Sequence, residues 1–139
     1  MKSKTVKNRN KKRQNLLYDH IVFHTKYNRP MLNKQMRSRV KVIICEVMDD
    51  LGCEVIEIDA LSNHVHLLFG FPPTLAPSKI VTKVKGISSR LLRKEFPILV
   101  KMCPKALWQV KVAHVSVGNE MNRVRKYIRN QGPHHGYKP

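Results

Sequence analysis

The stretch Cys53–Gly70, CEVIEIDALSNHVHLLFG, reads as two strands, Cys53–Ile58 and Asn63–Phe69, joined by a short turn near Ala60–Ser62. A helical pattern flanks it on each side. Upstream, Asn33 offers an N-cap, and Met36, Val40, Ile43, Ile44, Val47, Met48 and Leu51 recur at helical spacing before Gly52 stops them. Downstream, Pro72, Pro73 and Pro77 mark a loop, and Ser78–Phe96 returns to helix with Ile80, Val84, Ile87 and Leu91 on one face. Gly86 sits inside that helix at a cost of about 1 kcal/mol relative to alanine, which predicts a close approach by another backbone.

Further out, Leu16–Thr25 reads as a strand that Lys26–Pro30 breaks, and Leu107–Val117 alternates enough to be the last strand. Glu120–Gln131 reads as a final helix, capped by Asn119 and stopped by Gly132-Pro133. The order is strand, helix, strand, strand, helix, strand, helix. It predicts an α+β split β-α-β sandwich, ferredoxin-like or RRM-like, with a central antiparallel sheet and an appended C-terminal helix. The third strand is then central.

That strand carries His64-Val65-His66. Residues i and i+2 of a strand share a face, so both imidazoles project together while Val65 points into a core. Two neutral imidazoles make two corners of a metal site, and the triplet alone leaves the metal open. The last helix holds a second signal. Tyr127 and Gln131 are spaced i, i+4 and share a face, along one edge of the apolar stripe Met121, Val124 and Ile128. Arg123, Arg125, Lys126 and Arg129 occupy the outward arc.

Composition supplies a partner. The 139 residues predict one domain, and 42% apolar residues suffice for a core. A formal charge of +18 seeks a polyanion: nucleic acid first, an anionic membrane surface second. No run of 18 apolar residues exists to span a membrane. The N-terminus lacks an apolar signal region, so a cytoplasmic location is expected, nucleoid-associated when bound to DNA. Cys45, Cys53 and Cys103 form no C-x-x-C pair, which excludes a zinc ribbon and leaves buried free thiols. Residues 1–15 carry seven Lys or Arg and no acid, and read as a disordered basic arm; +11 remains on the rest. Residues 16–131 form the expected catalytic domain, and 132–139 a flexible tail. On the second long helix, Lys79, Lys83, Lys85, Arg90 and Arg93 are candidate phosphate contacts.

Together these signals suggest a chemistry. A phenol with a pKa of about 10 is a poor nucleophile at neutral pH. It needs the phosphodiester charge neutralised and the oxygen aligned. A divalent cation held by His64, His66 and Gln131 would polarise the phosphate, and Tyr127 would attack phosphorus. The covalent phosphotyrosine stores the ester bond for strand transfer without ATP.

The motifs as a set resemble the single-tyrosine HUH transposases of the insertion sequence 200/605 group, the TnpA type. The resemblance covers nearly all of residues 16–131. It rests on His20-Ile-Val-Phe, Thr25-Lys26-Tyr27, His64-Val-His66-Leu-Leu, Pro72-Pro73 and Pro77-Ser78-Lys-Ile-Val. It continues through Lys85-Gly86-Ile-Ser-Ser-Arg90, Phe96-Pro97, Leu107-Trp108, Ser116-Val-Gly118 and Tyr127-Ile128 with Gln131. The resemblance implies that His64 and His66 are the HUH metal ligands, with Gln131 the third. It implies Tyr127 as the nucleophile, leaving a 5′-phosphotyrosine and a free 3′-OH, with Mg²⁺ or Mn²⁺ as cofactor. The implied partners are single-stranded DNA bearing imperfect hairpins and a second copy of the chain. Such homodimers share a sheet, and the tyrosine helix of one subunit can complete the site of the other. Asn63 stands where such proteins often have Asp, which removes a charge beside the triplet. His114, His134 and His135 are weaker candidates as extra ligands. Two rival functions remain: a domesticated REP-associated tyrosine transposase cutting dispersed host hairpins, and a non-catalytic nucleic-acid-binding module.

Overall fold

A computed structural model describes residues 15–115 and 121–130. Residues 1–14 of the basic arm, the tail with His134 and His135, Gln131, Asn119 and the Gly132-Pro133 stop lie outside the described residues.

Strand β1 (Leu17–His24) leads through a 3-10 turn (Lys26–Asn28) into helix α1 (Lys34–Asp50). Asn33 caps α1, its side chain accepting from the Met36 amide at 2.8 Å. The buried side chains Met36, Val40, Ile43, Ile44, Val47 and Met48 form one stripe. Gly52 takes φ +76°, and the Cys53 and Gly52 amides donate to Met48 and Asp49 carbonyls at 2.9 and 3.1 Å. This is a Schellman closure, which needs the left-handed residue that glycine supplies.

Strands β2 (Glu54–Ala60) and β3 (His64–Phe71) follow as a hairpin. Helix α2 (Pro77–Glu95) opens with proline at its first turn, where the missing N–H costs nothing. A short helix α3 (Ile98–Met102), strand β4 (Ala113–Val115) and helix α4 (Met121–Asn130) complete the order. The sheet runs β2-β3-β1-β4 and every pairing is antiparallel, so the third strand is indeed central.

One sheet face carries Ile21, Phe23, Ile58, Ala60, Val65, Leu67 and Phe69, which pack with α1 and α2 into the main core. Phe23 meets Trp108 edge-on, with ring centroids 4.7 Å apart. Arg39 of α1 grips Glu95 of α2 through two bonds of 2.7 and 2.9 Å. Cys53 and Cys103 are buried and Cys45 is half-buried.

Several expectations need correction. Among the described residues, a β-carbon at Gly86 would meet no atom within 4 Å, and the residue is exposed, so no second backbone among them approaches it. The α2 core face is centred on Ile80, Val84, Ser88, Ser89 and Leu92, while Ile87 and Leu91 are half-buried. The serines turn inward because they anchor the segment that follows α3: Trp108 Nε1 donates to Ser88 Oγ at 2.9 Å, and the Leu107 amide to Ser89 Oγ at 3.0 Å. Of the expected strand Leu107–Val117, the described residues form a strand only at Ala113–Val115, with one separate bridge between Trp108 and Thr25; Ser116 and Val117 lie outside the described residues. Lys85 Nζ holds the Gln109 and Val110 carbonyls, which bends this segment out of a ladder. The 3-10 turn and α3 are additions that the apolar pattern did not indicate.

Candidate active site

The other sheet face builds the site. β1 contributes His20, Val22 and His24, and β3 contributes His64, His66 and Leu68, by strict alternation from the core residues. His24 lies opposite His64 in register, and their rings stack at 5.2 Å. His66 lies opposite Asp59 of β2, with its ring 5.8 Å from His20.

His64 and His66 converge. Their Nε2 atoms are 3.2 Å apart, with ring centroids at 4.9 Å. Two ligands at right angles on a metal, with bonds of about 2.1 Å, would lie about 3 Å apart. The donor pair therefore fits a divalent cation. His64 Nδ1 donates to Asn63 Oδ1 at 2.7 Å, since an amide oxygen only accepts. The His64 proton thus sits on Nδ1, and its Nε2 lone pair faces His66. Burial pulls the His64 pKa below its ordinary 6.5; repulsion from His66 and His24 adds to this, and Asp59 opposes it. The imidazole is neutral at pH 7, the form that ligates.

A cavity of about 340 Å³ opens beside this pair, lined by His20, Ile56, Glu57, Ile58, Asp59, His66 and Leu68. Its floor depends on a β-bulge. The β2–β3 register shifts between Val55 and Glu57, which turns Ile56 from the core face to the site face. There Ile56 and Leu68 bury Val124 of α4, with Tyr18 and Tyr127 packed around them. Tyr127, half-buried, is thereby seated on the same sheet face as the histidine pair. Arg125, Lys126 and Arg129 point to solvent, and Ile128 of the expected apolar stripe is 47% exposed.

The turn before His64 is pinned from three directions. Asn63 O accepts from the Thr25 amide at 2.9 Å and from Thr25 Oγ1 at 3.3 Å, and Ser62 O accepts from the Leu32 amide at 2.9 Å. Thr25 is fully buried, which explains a threonine at the end of β1.

The other candidates divide. Lys79, Lys83 and Arg90 are exposed, and Lys83 borders a groove that also holds Glu46 and Asp50 of α1. Lys85 and Arg93 are engaged inside the fold: Arg93 NH1 donates to the Cys103 and Pro104 carbonyls at 3.2 and 2.8 Å. Burial, and then Lys26, pull the Lys85 pKa down. His114 lies opposite Ile21 on the helix-covered face and pairs with Asp19 at 3.0 Å, away from His64 and His66. Among the described residues, no three His, Cys, Asp or Glu side chains are arranged to hold a metal, so the histidine pair needs a further ligand. Sequence reading did not single out His24, Asp59 or Ile56. The strand register exposes the first two; the bulge left no signal in the alternation of Glu54–Ala60.

The family model described as "Transposase IS200 like" matches residues 13–131. The transposase for insertion sequence element IS200 of Salmonella typhimurium is 28% identical over 113 residues, covering 81% of this chain and 74% of the relative. The ISDra2 transposase TnpA of Deinococcus radiodurans is 29% identical over 114 residues, covering 81% of each. A crystal structure of a transposase-like protein from Deinococcus radiodurans superposes with a TM-score of 0.70 at 26% identity, over 84% of this chain and 92% of that one. A REP-associated tyrosine transposase bound to a REP hairpin shares the fold, with a TM-score of 0.53 at 16% identity, over 90% of this chain and 74% of that one.

Proposed function

The chain belongs to the IS200-like transposase family, and from that membership we propose that it cuts and rejoins single-stranded DNA through a Tyr127 phosphodiester. The observation that carries this reading is the convergence of His64 and His66 on the sheet face that also seats the Tyr127 helix. His64, His66 and Gln131 would hold Mg²⁺ or Mn²⁺, which when bound supplies Lewis-acid polarisation of the scissile phosphate.

The residues of the chain do the rest. Exposed cations bring the polyanion to the surface. Packing against the cluster of Ile56, Leu68 and Val124 restricts the Tyr127 ring, so the phenol oxygen is presented rather than searched for. The Tyr127 oxygen forms a bond to phosphorus, the phosphorus–O3′ bond breaks, and the phenol proton is lost as the 3′-oxygen gains one. The product is a 5′-phosphotyrosine and a free 3′-OH. Attack by another 3′-OH reverses the step and joins a new strand.

Hairpin recognition is part of the proposal. It draws support from an architecture shared with a protein that was solved on a REP hairpin. A homodimer that shares its sheet would pair two copies of β4, whose three residues are all exposed. The test is a labelled single-stranded oligonucleotide carrying a hairpin, incubated with Mg²⁺ or Mn²⁺. A covalent protein–DNA adduct is expected, lost in Tyr127→Phe and in EDTA. An adduct that survives Tyr127→Phe overturns the nucleophile, and one indifferent to EDTA overturns the metal. Hairpin binding without cleavage in either metal favours a non-catalytic module. Cleavage of dispersed repeats in place of element ends favours the domesticated form.

A further inference from the structure

Building on the metal reading above, we infer that Asn63 and Asn28 form a positioning pair that fixes which nitrogen of His64 is offered to the metal. Three observations carry this. Asn63 Oδ1 accepts from His64 Nδ1 at 2.7 Å, which puts the imidazole proton on Nδ1 and leaves the Nε2 lone pair directed at His66. Asn63 Nδ2 donates to Asn28 Oδ1 at 3.2 Å, so the asparagine amide is held with its oxygen, not its nitrogen, toward the ring. Asn28 reaches this place because the backbone turns left-handed at two successive residues, with φ +57° at Tyr27 and +55° at Asn28. Asparagine tolerates that conformation far better than most residues.

The pair solves a problem that an amide poses and a carboxylate would not. A carboxylate accepts at both oxygens, so either orientation holds a histidine N–H. An amide presents an acceptor at one end and a donor at the other, and a rotated Asn63 would face Nδ1 with N–H groups and favour the wrong tautomer. The Asn28 oxygen decides the orientation. A hydrogen bond from the second ring nitrogen is the usual way in which a metal-binding histidine is oriented, and removing such a partner commonly weakens metal affinity roughly ten- to hundredfold. The Asn63 backbone is held independently by Thr25, so its side chain can be changed without releasing the turn.

The experiment is long-range ¹H–¹⁵N NMR of the histidine rings in the metal-free full chain, paired with calorimetric titration of Mn²⁺. The wild type and Asn63→Asp should show His64 protonated at Nδ1 and bind Mn²⁺ alike. Asn63→Ala should shift His64 toward Nε2–H and weaken Mn²⁺ binding roughly ten- to hundredfold. Asn28→Gly keeps a backbone suited to positive φ and removes only the acceptor, so its His64 should fall between wild type and Asn63→Ala. Wild-type His64 protonated at Nε2, or an unchanged tautomer in Asn63→Ala, overturns the inference whatever the variants do to stability. A wild type with the Nδ1–H tautomer but no Mn²⁺ binding supports the hydrogen-bond assignment and overturns the metal reading on which its purpose rests.

Discussion

His64 is the residue on which the pH response turns. Its folded pKa lies below 6.5, chiefly through burial. As pH falls through 6.5, the unfolded chain takes up a proton on this imidazole before the folded chain does. Folding stability is therefore fully present above 6.5 and declines below it. The proposed metal ligation would follow the same sign, because the proton competes for the nitrogen lone pair. The part of the Mn²⁺ affinity that depends on neutral His64, followed by calorimetry, should fall with a midpoint below 6.5. A decline centred above 6.5 would contradict the lowered pKa of the half-buried His64. The shared direction of His64 and His66 was legible in the sequence, because a strand has a period of two residues. The orientation of His64 was not. It depends on Asn63 and, 35 residues before that asparagine, on Asn28, whose left-handed backbone no pattern of apolar residues reveals.

At the scale of elements, α4 is seated on a small cluster separate from the main core. Val124 is 1% exposed and holds the helix against Ile56 and Leu68. Val124→Asp would bury an unpaired carboxylate, so the helix should leave the sheet. Adduct formation should then fall by at least two orders of magnitude, while the main thermal transition, which reports on the other cluster, stays in place. A variant with near-normal adduct formation would show that α4 docking is not required. The strand and helix order was legible because apolar period and stop signals agree along Asn33–Gly70. The edge of the sheet was not: Leu107–Val117 alternates, yet Lys85 and the two buried serines pull most of it out of the ladder. Nor was the bulge, because Ile56 in Val-Ile-Glu-Ile carries the same apolarity on either face. It is nevertheless the feature that converts a two-layer sandwich into a seat for the tyrosine helix.

At the scale of the molecule, +18 charges predict a strongly salt-dependent association with DNA. The fold sorts the basic residues that composition could not. Lys79→Ala and Arg90→Ala remove exposed charges and should each lower the slope of log affinity against log salt by about one, with no loss of stability. Lys85→Ala and Arg93→Ala remove donors to backbone carbonyls of the segment after α3. They should lower the melting temperature by several degrees, on the order of 1–2 kcal/mol each. Equal salt slopes for all four variants, with unchanged melting, would contradict this division. On the proposed function, charge would deliver the strand and the sheet face would act on it.

The central claim is that Tyr127 becomes covalently joined to DNA beside the histidine pair. Mass spectrometry of the protease-digested adduct, formed on a hairpin-bearing single strand with Mn²⁺, tests it most directly. The account predicts a nucleotide linked through its 5′-phosphate to the peptide containing Tyr127, and no adduct from His64→Ala or His66→Ala. A nucleotide attached at Tyr18, Tyr27 or Tyr137, or full adduct yield without the two histidines, would contradict it.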